Sequence, residues 1–85
     1  MDKALEKEVI KYLIVSIDKV GKTVYLHSMH DHKWEITPDI ERATKTYNRR
    51  LANMILENYY YDIHPQDEQW LIMPVAIQWH LVNES

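Results

Sequence analysis

Only one residue of this chain can enter the left-handed backbone region without steric cost: Gly21, the sole glycine among 85 residues. It lies in Asp18-Lys19-Val20-Gly21-Lys22, between two segments that alternate at period two. From Lys11 onward Leu13, Val15 and Ile17 fall on one side and Tyr12, Ile14 and Ser16 on the other. Across residues 23–29, Val24 and Leu26 alternate against Tyr25 and His27. A β-branched, aromatic strand, a loop with one positive-φ residue and a second alternating strand predict a hairpin.

The rest of the chain must build on that hairpin. Residues 2–9 are good helix formers, with Leu5 and Val9 four apart, and read as a short amphipathic helix or a frayed terminus. Trp34, Glu35 and Ile36 read as extended. Thr37-Pro38-Asp39 reads as a helix start, with a capping hydroxyl, proline at the first helical position and acids in the first turn. That short helix is expected to run to about Thr44. Asn48 then caps a main helix from residue 49 to about 60, whose apolar stripe is Leu51, Met54 and Ile55, with Tyr47 and Asn58 nearby. After a turn-like stretch over residues 62–69, Leu71, Met73, Val75, Ile77, Trp79 and Leu81 share one parity and read as a core-facing row. Pro74 cannot donate a ladder bond, so residues 70–82 form an edge strand, a bulged strand or two strands. The expected fold is α+β: an antiparallel sheet of three to four strands, the N-terminal hairpin plus a C-terminal strand or hairpin, with one principal helix packed on one face.

Size and composition bound the function. A chain of 10.3 kDa makes one domain, residues 1–85, and buries about 62% of its unfolded surface, a thin margin that partners would widen. With 46% hydrophobic and 27% charged residues it is not a disordered chain. Cys 0 excludes disulfides, thiolate nucleophiles and cysteine metal sites, and fits a reducing cytoplasm. No export or membrane segment is visible, since the six-residue run from Tyr12 to Ile17 is too short. The net charge of -3 disfavours a chain devoted to nucleic acid phosphates. Every aromatic ring carries a polar atom, because the chain has Tyr 6, Trp 3 and Phe 0.

Three constellations could carry chemistry. His27, His30 and His32, with Asp31 between, form a candidate metal cluster at a hairpin tip, where His30 and His32 would point the same way if extended; the plainer reading is a solvated polar loop. Arg42, Lys45, Arg49 and Arg50 hold the basic stretch between Glu41 and Glu57, and on a continuous helix the first three would share a face that is either solvated or an anion or nucleic acid contact. The run Tyr59, Tyr60 and Tyr61 cannot face one core entirely, and with Tyr12, Tyr25 and Trp70 it supplies the rings expected at a half-wet protein interface. Catalysis is disfavoured: there is no glycine-rich phosphate loop and no nucleophile elbow, and Asp67 and Glu68 sit in a polar turn. No cofactor is expected.

The order Trp34, Thr37, Asp39-Ile40, Ala43, Tyr47, Ala52 and Ile55, behind a hairpin of the form Tyr-Leu-Ile, Gly-Lys, Tyr-Leu, resembles small uncharacterised proteins of phages and prophages in Gram-positive bacteria. The resemblance covers roughly residues 10–60. It implies a mobile-element origin and an accessory role exercised by binding, and it transfers no catalytic residues. The combined expectation is a non-enzymatic cytoplasmic protein-protein interaction module, a homodimer or the partner of a host protein, with a nucleic-acid-binding helix or a metal-binding loop as alternatives.

Overall fold

The computed structural model describes the backbone of residues 6–80 and the side chains of residues 8–78. Strands β1 (Glu6–Ile17), β2 (Thr23–Ser28), β3 (Trp34–Thr37) and β4 (Leu71–His80) form one antiparallel sheet in the order β3-β2-β1-β4. Helix α1 (Arg49–Ile63) packs across one face, the α+β arrangement expected. Gly21 takes φ +85° in the β1–β2 loop. There Asp18 Oδ1 accepts from Val20 N at 3.0 Å and from Lys22 N at 2.8 Å, closing the turn.

β1 is longer than the sequence suggests. Residues 6–9 of the expected N-terminal helix are strand, and residues 2–5 lie outside the described residues. A helix of eight residues is marginal in water, whereas this segment has a partner: the β1–β4 ladder runs from Val15 opposite Leu71 to Glu6 opposite His80.

The sheet opens between β1 and β2. They pair only where Val15, Ser16 and Ile17 face Tyr25, Val24 and Thr23. Beyond that point the strands part, and residues 44–46 fill the gap in extended form. Thr44 N donates to Leu26 O at 3.1 Å, and its Oγ1 accepts from Ser28 N at 2.7 Å. Thr46 exchanges both backbone bonds with Tyr12, at 2.9 and 3.1 Å. This insertion corrects the expected helix after Thr37-Pro38. Only two successive turns form there, Arg42 N to Asp39 O and Ala43 N to Ile40 O, because the β-branched threonines that follow bond to strands on either side. Residues 38–43 therefore lie on one face of the sheet, where Ala43 packs with Leu13 and Val15, and α1 lies on the other.

Asn48 caps α1 as expected, its Oδ1 accepting from Leu51 N at 2.8 Å. The helix runs three residues past the expected end. His64 closes it in the left-handed conformation, φ 55° and ψ 50°, donating its N–H to Tyr60 O, and Pro65 follows. Its buried stripe is Ala52, Leu56 and Tyr59, with Ile55 packed alongside. Leu51 and Met54, assigned to the sheet side from the sequence, are exposed. Helical period alone admits either stripe, and the rings of Trp34 and Trp70 select the one bearing Tyr59. Tyr59 meets Trp34 edge-on at 5.4 Å between centroids and Trp70 edge-on at 5.7 Å. Each such pair adds about 0.5–1.5 kcal/mol beyond area burial. Glu68 Oε2 accepts from Tyr59 Oη at 2.6 Å and Trp70 Nε1 at 3.0 Å, while Asp62 Oδ2 accepts from Trp34 Nε1 at 2.9 Å.

Pro74 sits opposite Tyr12 in a single uninterrupted edge strand, with no second C-terminal strand in residues 71–80. Tyr12 gives its N–H and C=O to Thr46, so Pro74 is at a non-hydrogen-bonded position of the β1–β4 ladder, with its nitrogen towards the free edge. A proline at that point costs the ladder nothing and removes a donor from the edge. Two residues along, Ile72 O accepts from Arg49 Nη1 at 3.1 Å. The middle of the edge thus offers one donor and one acceptor fewer to a further strand.

Two outcomes follow. Burial, followed by the hydrogen bond and charge of Glu68, pushes the Tyr59 hydroxyl above its ordinary value of 10.0. The folded state therefore keeps a proton that the unfolded state loses, and stability from this group is complete below pH 10 and lost as pH rises beyond it. Tyr59→Phe is expected to cost about 1 kcal/mol at neutral pH, a melting drop of about 4–8 °C. It should also flatten the alkaline limb of the stability curve, measured by urea unfolding between pH 7 and 11. Pro74→Val restores an edge donor and is expected to yield concentration-dependent, thioflavin-positive aggregates at a protein concentration where the parent stays clear.

Candidate functional site

The apolar row of β4 lies on the face that α1 does not cover. Leu71, Met73, Val75 and Ile77 stand opposite Val15, Leu13, Lys11 and Val9. Residues paired across a ladder share a face. Leu13 and Val15 belong to the cluster with Ala43 and Val75, while the helix cluster takes Ile14, Ile72 and Trp70 from the other parity. The sequence reading of a core-facing row is corrected here: the helix meets the neighbouring parity because Trp70 and Ile72 supply the bulk that Tyr59 and Leu56 pack against. The side chain of Trp79 lies outside the described residues.

This open face is strongly apolar and only partly roofed. Ile17 is 64% exposed, Leu71 60%, Met73 48% and Ile40 40%. Between the 38–43 turn and the strands runs a groove of about 310 Å³, floored by Leu13, Val15 and Tyr25 and walled by Ile40, Met73 and Val75. The turn is held in shape by Lys45, whose Nζ donates to the carbonyls of Ile40, Glu41 and Ala43 at 2.8–3.2 Å. Towards the far end Lys11 Nζ sits 3.5 Å from the centroid of the Tyr47 ring, a cation–π contact that keeps the lysine stem over apolar surface. Exposed apolar side chains that cluster on one face and are rimmed by polar residues are the kind of surface that interaction sites use.

The six aromatic residues expected at an interface are dispersed. Tyr25 alone stands on the open face, where it is half-buried. Tyr12 packs against the helix-side core, its ring 5.4 Å from the Arg49 guanidinium. Tyr59 is 2% exposed and Trp70 8%, so both belong to the chain's own core rather than to an outer surface: their polar atoms are satisfied by Glu68, which makes their burial affordable. Tyr60 and Tyr61 are exposed on α1, away from the open face. Leu71, Met73, Ile17 and Ile40 were missed as site residues. Their signal was present in the sequence, since a sheet with one helix leaves half its apolar rows uncovered.

The basic residues do not form one helical face, because no helix joins Arg42 and Lys45 to Arg49 and Arg50. Arg42 bonds Glu35 Oε1 through Nε and Nη2 at 3.0 and 2.8 Å, Lys45 holds the turn, and Arg49 bonds Ile72 O. Arg50 is exposed. The histidines do not converge either. Loop residues Asp31 and His32 both take positive φ, 62° and 57°, so the segment is bent where the shared direction of His30 and His32 required it extended. His32 Nδ1 turns to Asp62 Oδ2 at 3.4 Å, and His27 Nδ1 is buried without a hydrogen-bond partner. Among the described residues no three His, Cys, Asp or Glu side chains stand together as a metal would need, and no helix is long and apolar enough to cross a membrane.

Lys45 thus has a local structural task that Arg50 lacks. Lys45→Met is expected to lower stability by about 1 kcal/mol by leaving the turn carbonyls unpaired, whereas Arg50→Ala stays within about 0.5 kcal/mol of the parent, both read by urea unfolding. Comparison with known proteins adds no relative to this geometry: no family model, no curated protein and no solved structure matches the chain.

Proposed function

We propose that this protein is a non-enzymatic interaction module that binds another protein through the open face of its sheet. The observation that carries this reading is the placement of the β4 apolar row on the side away from α1, with Leu71 60% and Met73 48% exposed. Covering such a row removes apolar area from water at roughly 25 cal/mol per Å². The neighbouring strand edge offers a poor alternative, since Pro74 and Arg49 obstruct addition of a strand. A protein surface therefore fits best when laid on the face, with Leu71 and Met73 near the centre of the contact and the polar loops as its rim. The resemblance of residues 10–60 to phage and prophage proteins is consistent with an accessory role, with a host protein or a second copy as the bound surface.

The test uses the exposure of the row. Leu71→Asp and Met73→Asp each place a charge where the free chain already meets water. Each is expected to leave the circular dichroism spectrum intact while weakening association at least about tenfold, measured by sedimentation for the chain alone and by co-purification from its natural host. Unchanged association in both variants would remove the open face as the binding surface.

A further inference from the structure

A second surface lies where α1 meets the β4 side of the sheet. Between the first half of the helix and the start of β4 runs a groove of about 690 Å³. Arg49, Asn53 and Leu56 line it at the spacing of one helical face, with Arg50 beside them. Trp70, Leu71 and Ile72 line it from the strand side, Trp70 buried and Leu71 60% exposed at the sheet's edge.

The charge of this groove has one sign. Arginine is the only charged residue type along it, and among the described residues neither arginine takes part in an ion pair. Arg49 is held in place from within, since its Nη1 donates to Ile72 O at 3.1 Å and its guanidinium carbon stands 5.4 Å from the centroid of the Tyr12 ring. Arg50 is exposed. Helix stability does not account for the pair: both stand in the first turn of α1, which holds no acid, and there the helix dipole disfavours positive charge. Cations set against the dipole beside an apolar wall make a surface that a negatively charged partner completes.

We infer that this groove binds an acidic segment of a partner protein, one in which a carboxylate side chain stands next to a large apolar one. A guanidinium is a planar fork that a carboxylate can meet with two parallel hydrogen bonds, and Arg49, already fixed, gives up little freedom on binding. The apolar neighbour lies against Leu71 and Ile72. Nucleic acid fits less well, because holding its backbone takes a track of cations, whereas this groove has two arginines and the chain a net charge of -3. A bare anion leaves the apolar wall uncovered. The inference goes beyond the open-face reading, since Met73 and the groove beside Ile40 take no part in it.

Selection from a phage-displayed library of random peptides on the immobilised protein tests it. Enriched peptides are expected to carry Asp or Glu beside Leu, Trp or another large apolar residue. Their affinity, measured by fluorescence anisotropy on synthetic copies, should fall about tenfold or more in Arg50→Glu, and should weaken as salt is raised. That variant is expected to melt no lower than the parent, because an acid in the first turn suits the helix dipole, so lost binding is not lost folding. A peptide with lysine in place of one acid should bind Arg50→Glu more tightly than it binds the parent, a reversal that a merely structural effect would not produce. Enriched peptides without acids, acidic peptides that Arg50→Glu binds as well as the parent does, or a library from which nothing is enriched overturn the assignment. Peptides lost to Met73→Asp but kept by Arg50→Glu overturn the groove while upholding the open face. A labelled single-stranded oligonucleotide bound by the parent and lost to Arg50→Glu overturns the peptide and gives the groove to nucleic acid.

Discussion

Tyr59 is the residue through which the two ends of the sheet are joined. Its ring meets Trp34 from the β3 edge and Trp70 from the entry to the β4 edge, both edge-on, and its hydroxyl shares the Glu68 carboxylate with Trp70. Helix α1 is positioned by this column of rings: the stripe that bears Tyr59 must face the sheet, and the alternative stripe of Leu51 and Met54 is turned outward. The absence of phenylalanine follows the same logic. All three rings have a polar atom that meets a carboxylate, Asp62 or Glu68, which a phenyl ring could not do.

The second constraint is the parting of β1 from β2. A backbone left open there would expose unpaired groups beneath the core, and residues 44–46 satisfy them on both sides. Because this short segment passes through the sheet, the chain divides its cover between the two faces. One receives a four-turn helix and the other, among the described residues, only the turn at residues 38–43. The apolar groove beside Ile40 is the direct result, so the site and the crossing have one cause.

Much of the fold was legible in local chemistry. Gly21 and Asp18 marked the hairpin, Asn48 marked the start of α1, and Pro74 restricted β4 to an edge or an interruption, of which the edge is realised. What misled was competition from distant partners. The helix signals after Thr37 lost to strand bonds with Leu26 and Tyr12, and the helix formers at residues 6–9 lost to the ladder with β4. The site was legible in outline only. Unequal cover of the sheet followed from the number of elements, but the exposed aromatic residues expected to mark it include two, Tyr59 and Trp70, that form the core instead.

By itself the sequence determined the β1–β2 turn at Gly21, the start of α1 after Asn48 and the alternation of the strands, because these depend on neighbours within a few residues. It could not decide which parity of β4 or which stripe of α1 faces inward. A period-two strand presents two rows related by half a turn, and a short helix with two apolar stripes is equally ambiguous, so the outcome depends on which combination packs bulk against bulk across the sheet. Only the tertiary structure made that choice, placing Trp70 and Ile72 beneath Tyr59 and Leu56 and leaving Leu71 and Met73 in the open.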